Sequence, residues 1–334
     1  MKIRPYLLPL LTLLLAILLS IAVGAVFIPP ADLWRVLSGQ APQSVSQAEV
    51  IILTLRLPRT ALVLLTGAAL GTSGAAYQGL FRNPLADPYL IGVASGAGLG
   101  AVLAMSIQWP YTPAGLLAIP SAAFAGALAT VFLVYSLARV GKTLPTTNLI
   151  LAGVAFSFFA SAVTSFLMLR STGELRRAIA WLLGGSSQAG WAPVLSILPF
   201  LLPGLAGLLL SGYSLNLLQF GDDQAAQMGL PVARARTLIL LFASLATASA
   251  VAFSGVIGFI GLIVPHLMRM WFGADYRRLL WLSLIGGAAA LLLADVLARV
   301  VMAPQELPVG IVTALAGVPF FLWILRRAKN LGYW

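Results

Sequence analysis

The chain has 334 residues, of which 60% are apolar and 9% charged, and its net charge is +11. Soluble domains carry roughly 25% charged residues, so this chain cannot cover a water-soluble globule and is expected to be an all-α integral membrane protein. No basic run exceeds a pair such as Arg326-Arg327, which excludes a nucleic-acid stripe; no Cys and a single His, His266, exclude disulfide, thiolate and protein-made soft-metal chemistry.

A membrane helix needs about 20 apolar residues, and ten segments read as spans. The first runs from Leu7 to Ile28 behind Lys2 and Arg4. It outlasts the apolar core of about 7–15 residues in a cleaved signal and reads as a retained helix. Spans two to six follow at about Thr60–Leu80, Leu90–Ile107, Ala114–Leu137, Leu149–Leu169 and Pro193–Ser211. Between spans five and six, Leu175–Leu183 looks like a short outer helix ended by Gly184-Gly185. The thirty-two residues between Arg236 and Arg269 contain no Asp, Glu, Lys or Arg. As one helix they would run about 48 Å against a hydrocarbon core of about 30 Å. They must break, and Gly255, Gly258 and Gly261 mark the reversal between spans seven and eight. Spans nine and ten cover about Leu279–Val301 and Val309–Leu325.

No hydrophilic segment is long enough for a soluble domain, so residues 1–334 are expected to form one polytopic transmembrane domain. An even span count puts both termini on one side. With the N-terminus inside, 13 of the 20 basic residues fall on the inner face and 7 on the outer, which supports an N-in, C-in orientation. Arg59-Thr60 and Arg236-Thr237 each open a span, and Pro88 and Pro265 follow at the same offset of 177 residues. Spans two to five and seven to ten are therefore expected to be inverted internal repeats, a common transporter design.

Gly141-Lys142-Thr143 matches the end of a phosphate-binding loop, but Ser136 stands where that loop needs glycine and no strand precedes it. The chain is therefore expected to hold no nucleotide. In the inner turn from Gly79 to Pro88, Asn83-Pro84 and Pro88 forbid helix, and Arg82 and Asp87 are placed for a local ion pair. The inner loop from Gly221 to Pro231 reads as a short helix capped by Asp222 and stopped by Gly229 and Pro231. Its small residues Ala225 and Ala226 suit a groove on a cytoplasmic partner. Asp295 is the carboxylate best placed inside a span, with Arg299 at i+4 to pair with it. His266, alone, suits a packed role. Arg56, Arg59 and Arg299 fall at outer helix ends, either as snorkelling anchors or as a cationic surface for the carboxylates of an external partner.

Several motifs carry a family resemblance. Leu55-Arg56-Leu57-Pro58-Arg59-Thr60, Gly67-Ala68-Ala69-Leu70 and the run Gln78–Pro88 are three of them. Gly258-Phe259-Ile260-Gly261-Leu262-Ile263-Val264-Pro265-His266, Leu293-Ala294-Asp295 and the run Glu306–Ala314 complete the set. Together they resemble the permease subunits of ABC importers for iron chelates (siderophore or haem) and cobalamin, over essentially the whole chain. The resemblance implies a ten-helix permease that forms a homodimer in the bilayer of a bacterial inner membrane. Two cytoplasmic ATPase subunits would bind the ATP and Mg, and a periplasmic or surface binding protein would deliver the chelate; this chain would hold no cofactor and catalyse no reaction. Residue by residue, it implies that Arg56, Arg59 and Arg299 dock the binding protein. It assigns ATPase coupling to Asp222, Asp223, Ala225, Ala226, Met228, Gly229 and Leu230, and a cytoplasmic gate to Thr146 and Thr147. Spans five and ten and the outer helix would line the pathway. The competing class is an ion-coupled secondary transporter, which needs midplane carboxylates or broken-helix carbonyls; Asp295 is its one candidate. Siderophore, haem and cobalamin permeases share these motifs, so the motifs do not choose the cargo.

Overall fold

The computed structural model describes residues 4–24, 28–39, 47–107, 109, 112–141, 144–170, 175–185 and 190–329. Among them the chain is helical, with no sheet strand. Helix α1 covers Arg4–Ala22 and stops short of the expected Ile28, because Gly24 and Pro29 lead into α2, Pro30–Leu37. A continuous 34-residue helix follows, Gln47–Leu80, made of α3 (Gln47–Val50), a π turn (Ile51–Arg56) and α4 (Leu57–Leu80). Pro58 explains the widened turn: it lacks an N–H and its ring would press on the carbonyl four residues back. A 3₁₀ turn, Pro88–Ile91, then leads into α5, Val93–Met105.

Helices α6 (Pro113–Ala138), α7 (Thr146–Arg170), α8 (Leu175–Leu182) and α9 (Trp191–Leu210) come next. The segment before α12 holds α10 (Gly212–Leu218) and α11 (Asp222–Gln227). The chain closes with α12 (Val232–Ser254), α13 (Ile260–Phe272), α14 (Tyr276–Val300) and α15 (Val309–Lys329). Among the described residues, seven helices are long and apolar enough to cross a membrane, and α5, α13 and α15 supply three shorter apolar ones. They match the ten expected segments. The expected break in the uncharged stretch is present: Gly255 has φ +73°, Phe259 has φ +69°, and Gly261 sits in the first turn of α13.

Helices α4 and α12 form the centre. Every residue from Thr66 to Leu80 is buried, and so is every residue from Ala246 to Ser254. A helix buried on all sides must let its neighbours close, and α4 does this with glycine. A Cβ on Gly67 would run into the carbonyl of Gly287 on α14, and one on Gly71 into that of Ser283. The same small-residue packing joins α5 to α6 through Gly96, Gly100 and Gly126.

The packing is symmetric between the two halves. Helix α4 packs on α13 and α14 as α12 packs on α5 and α6; α5 packs on α6 and α7 as α13 packs on α14 and α15. The offset is not constant, however. It is 175 from Leu57 to Val232 but 163 from Thr146 to Val309. Pro88 and Pro265 are accordingly not equivalent, since Pro88 opens a 3₁₀ turn and Pro265 lies inside α13. Unequal loops shift the register, so the repeat lives in packing roles. At the periphery, α7 exposes Leu151, Phe158, Phe159 and Leu169, and α15 exposes Leu315 and Leu322.

Candidate functional site: polar clusters at the two ends of the bundle

At the end where α1 and α14 finish and α4 begins, three arginines converge. Arg56 Nη1 donates to the carbonyls of Ile21 and Ala22, both at 2.8 Å. The Arg299 guanidinium donates to the Ser20 carbonyl at 3.2 Å through both Nη1 and Nη2. These carbonyls are the unpaired acceptors at the α1 C-terminus, where cations are favoured. Arg56 and Arg299 are 6% and 4% exposed, so neither is the free cationic surface expected from sequence. Both hold helix ends together from inside.

Arg59 differs. Its Nη2 and Nε reach one oxygen of Asp295 at 2.9 and 3.1 Å, and its Nη1 reaches Glu306 at 2.6 Å. Its side chain stays 28% exposed and that of Glu306 47%. The expected pairing of Asp295 with Arg299 is also present, at 3.0 Å. Asp295 is thus a buried carboxylate held between two guanidiniums. Glu306, which opens one of the family motifs but was assigned no role from sequence, completes the cluster.

At the opposite end lie the turn from Gly79 to Pro88, α11 and the start of α7. The Asp87 carboxylate accepts the Tyr89 N–H at 2.7 Å and caps the 3₁₀ turn. It makes no ion pair with Arg82, contrary to expectation: Arg82 is exposed, with φ +51°. The Tyr89 hydroxyl donates to the Ile257 carbonyl at 2.8 Å, which ties this turn to the α12–α13 reversal. Burial pushes the Asp87 carboxyl up to about 6, against a partial lowering by the Tyr89 N–H. With the folded pKa above the unfolded one, stability falls as pH rises from about 4 to 6 and then levels off. Asp87→Asn keeps the acceptor and removes the charge. It should stabilise the purified chain by about 1–2 kcal/mol at pH 7.5 and hardly at all at pH 4. Thermal melts at both pH values test this, and an equal gain at each would rule it out.

Helix α11 matches the expected short inner helix but is built differently. Gly221 occupies the N-cap position, and the side chain of Asp222 does not cap. It pairs instead with Arg236 at 2.7 Å. Gly229, at φ +86°, stops the helix as expected, with the Leu230 N–H on the Ala225 carbonyl at 3.0 Å. Ala225 is fully buried and faces the bundle, which removes it from any surface groove. Asp223, Ala226, Met228 and Gly229 are exposed and Leu230 is half-buried. Thr146 and Thr147 begin α7 directly after Pro145, whose carbonyl accepts the Leu149 N–H. Lys142 and Thr143 of the phosphate-loop match lie outside the described residues.

The end of α8 meets α15 and the α12–α13 reversal around an apolar recess of about 320 Å³, lined by Leu182, Leu183, Val256, Gly310, Ile311 and Leu315 among others. The expected pathway elements α8 and α15 are thus neighbours. Helix α7 does not line this recess.

Helices fit to cross a bilayer, glycine-packed central helices and ion pairs at the two ends of the bundle define a multi-pass membrane protein. The model of the FecCD transport family matches residues 12–327, and the chain belongs to that family. It is 46% identical to the cobalamin import system permease protein BtuC of Halobacterium salinarum, over 84% of this chain and 74% of the relative. It is 40% identical to the hemin transport system permease protein HmuU of Yersinia pestis, over 98% of each chain. A solved structure described as an inward-facing conformation of a metal-chelate type ABC transporter superposes with a TM-score of 0.84 at 30% identity, over 98% of this chain and all of that one. The chain is the permease subunit of an ABC transporter.

Proposed function

We propose that this permease forms a homodimer in a bacterial inner membrane and passes a metal chelate inward, drawn from haem, cobalamin or a ferric siderophore. A binding protein delivers the chelate at the Arg59 end, and two ATPases drive it from the α11 end. Each chain crosses the membrane ten times with both termini in the cytoplasm. The observation that carries this reading is the end-to-end match to permeases of haem and cobalamin systems, 98% of each chain in the haem case. The apolar recess between α8 and α15 supports it, since a pre-chelated metal asks for no protein ligand. Arg59 contacts the binding protein through its exposed edge, while buried Arg56 and Arg299 add positive potential behind it. Asp223, Ala226 and Met228 form the face offered to the ATPase, with Asp222, Gly229 and Leu230 shaping the helix. Ala225 anchors that helix from beneath. Thr146 and Thr147 form the inner gate. Asp295 does not suit ion coupling, because it is already paired with two arginines.

Uptake into proteoliposomes with the ATPase and binding protein tests the reading, with haemin, cyanocobalamin and ferrichrome as probes. One of the three should accumulate with ATP, and none in response to a proton or sodium gradient alone. Accumulation that follows the ion gradient and ignores ATP would overturn it. In the same preparation, Ala226→Trp should abolish co-purification of the ATPase; an intact complex on size exclusion would remove α11 from the interface.

A further inference from the structure

One buried guanidinium touches two elements that the proposed function treats separately. Arg236 lies in the second turn of α12 and is 7% exposed. Its Nη2 donates to the carboxylate of Asp222, the first residue of α11, at 2.7 Å. Its Nη1 donates to the hydroxyl of Thr146, the first residue of α7, at 3.4 Å. Its Nε is buried without a hydrogen-bond partner. The Asp222 side chain is 49% exposed, so one end of this link reaches the surface that carries α11.

The chemistry of the link is asymmetric. A guanidinium is a rigid planar fork, so its donors move together. The short charge-assisted bond to Asp222 is far stronger than the long contact to Thr146. When α11 shifts, the fork follows Asp222 and the Thr146 contact gives way. The buried Nε, without a hydrogen-bond partner, leaves the present arrangement incompletely satisfied. A rigid side chain held tightly at one end and loosely at the other is a physical route by which coupling between sites can travel.

We propose that Arg236 is the positioning residue that transmits displacement of α11 to the start of α7, so that ATPase movement is felt at Thr146. This rests on the reading of α11 as the ATPase contact and of Thr146 and Thr147 as the gate.

The chain has no cysteine, and Thr147 is exposed, so Thr147→Cys provides a single thiol on the gate. The experiment measures its maleimide labelling rate in the assembled complex, with and without ATP and vanadate. ATP should change the rate by about fivefold or more in the Thr147→Cys background, and by less than about twofold once Arg236→Gln or Asp222→Asn is added. The double change should be no worse than either single one, since both cut the same link. Arg236→Lys, which keeps the charge but not the fork, should fall between. Should Arg236→Gln fail to assemble, Asp222→Asn decides the matter, because it alters an exposed partner and leaves the buried guanidinium in place. A full ATP response in Asp222→Asn overturns the relay and leaves the gate standing. No ATP response in the Thr147→Cys background, in a complex that transports, overturns the gate assignment and the relay with it.

Discussion

Gly71→Leu is expected to abolish accumulation of the folded chain. A Cβ at this position would run into the carbonyl oxygen of Ser283 and lie 3.1 Å from the Cα of Gly287. Both obstacles are backbone, so no side chain can turn aside to make room. The two helices would have to part, and α14 would leave a segment of α4 that is buried on every side. Overpacking a well-packed core costs about 1–3 kcal/mol, and forcing two backbones apart costs more because it also removes their mutual dispersion contacts. Gly258→Ala is the control: nothing lies within 4 Å of its added Cβ, and its φ is not positive. Fluorescence-detected size exclusion of membrane extracts should show a folded peak for Gly258→Ala and none for Gly71→Leu. Equal peaks would mean that α4 and α14 do not need this approach.

Arg59→Glu should cost both stability and docking. It would place a third carboxylate beside Asp295, whose side chain is 3% exposed, and Glu306. Removing one partner of a buried pair costs about 3–5 kcal/mol. The retained Arg299 contact to Asp295 and the 28% exposure of Arg59 place the loss toward the low end, near about 3 kcal/mol. Arg59→Gln adds no charge and should lose less stability, while losing the same docking contact. If Arg59 faces the binding protein, both variants should weaken its affinity about tenfold or more, while their melting temperatures differ. Surface plasmon resonance with the binding protein, run beside thermal melts, separates the two effects. Unchanged affinity in Arg59→Gln would confine Arg59 to the internal cluster.

The apolar segments, their order and the reversal after Ser254 were legible because each rests on local chemistry. Length, missing charge and glycine placement act within about 20 residues, and nothing distant can cancel them. Helix α11 was legible for the same reason, through Gly229 and Pro231. Partner choice was not. Asp222 looked like a cap and instead reaches Arg236. Arg82 and Asp87 looked paired and are not: Asp87 caps the 3₁₀ turn through the Tyr89 N–H, and Arg82 is exposed.

Arg56, Arg59 and Arg299 show where the boundary falls. Their position at helix ends and the +11 charge are properties of the sequence alone. So are the membrane class and the lack of cysteine or clustered histidine. Which arginine remains available was decided by tertiary structure, because α1 ends beside α4 and α14 and leaves its last carbonyls unpaired. Arg56 and Arg299 satisfy those carbonyls and are buried by doing so, whereas Arg59 meets carboxylates at the rim and stays partly exposed. A hydrogen-bond acceptor supplied by another helix leaves no mark in the sequence around the arginine. Burial therefore divided residues that composition and spacing had grouped together.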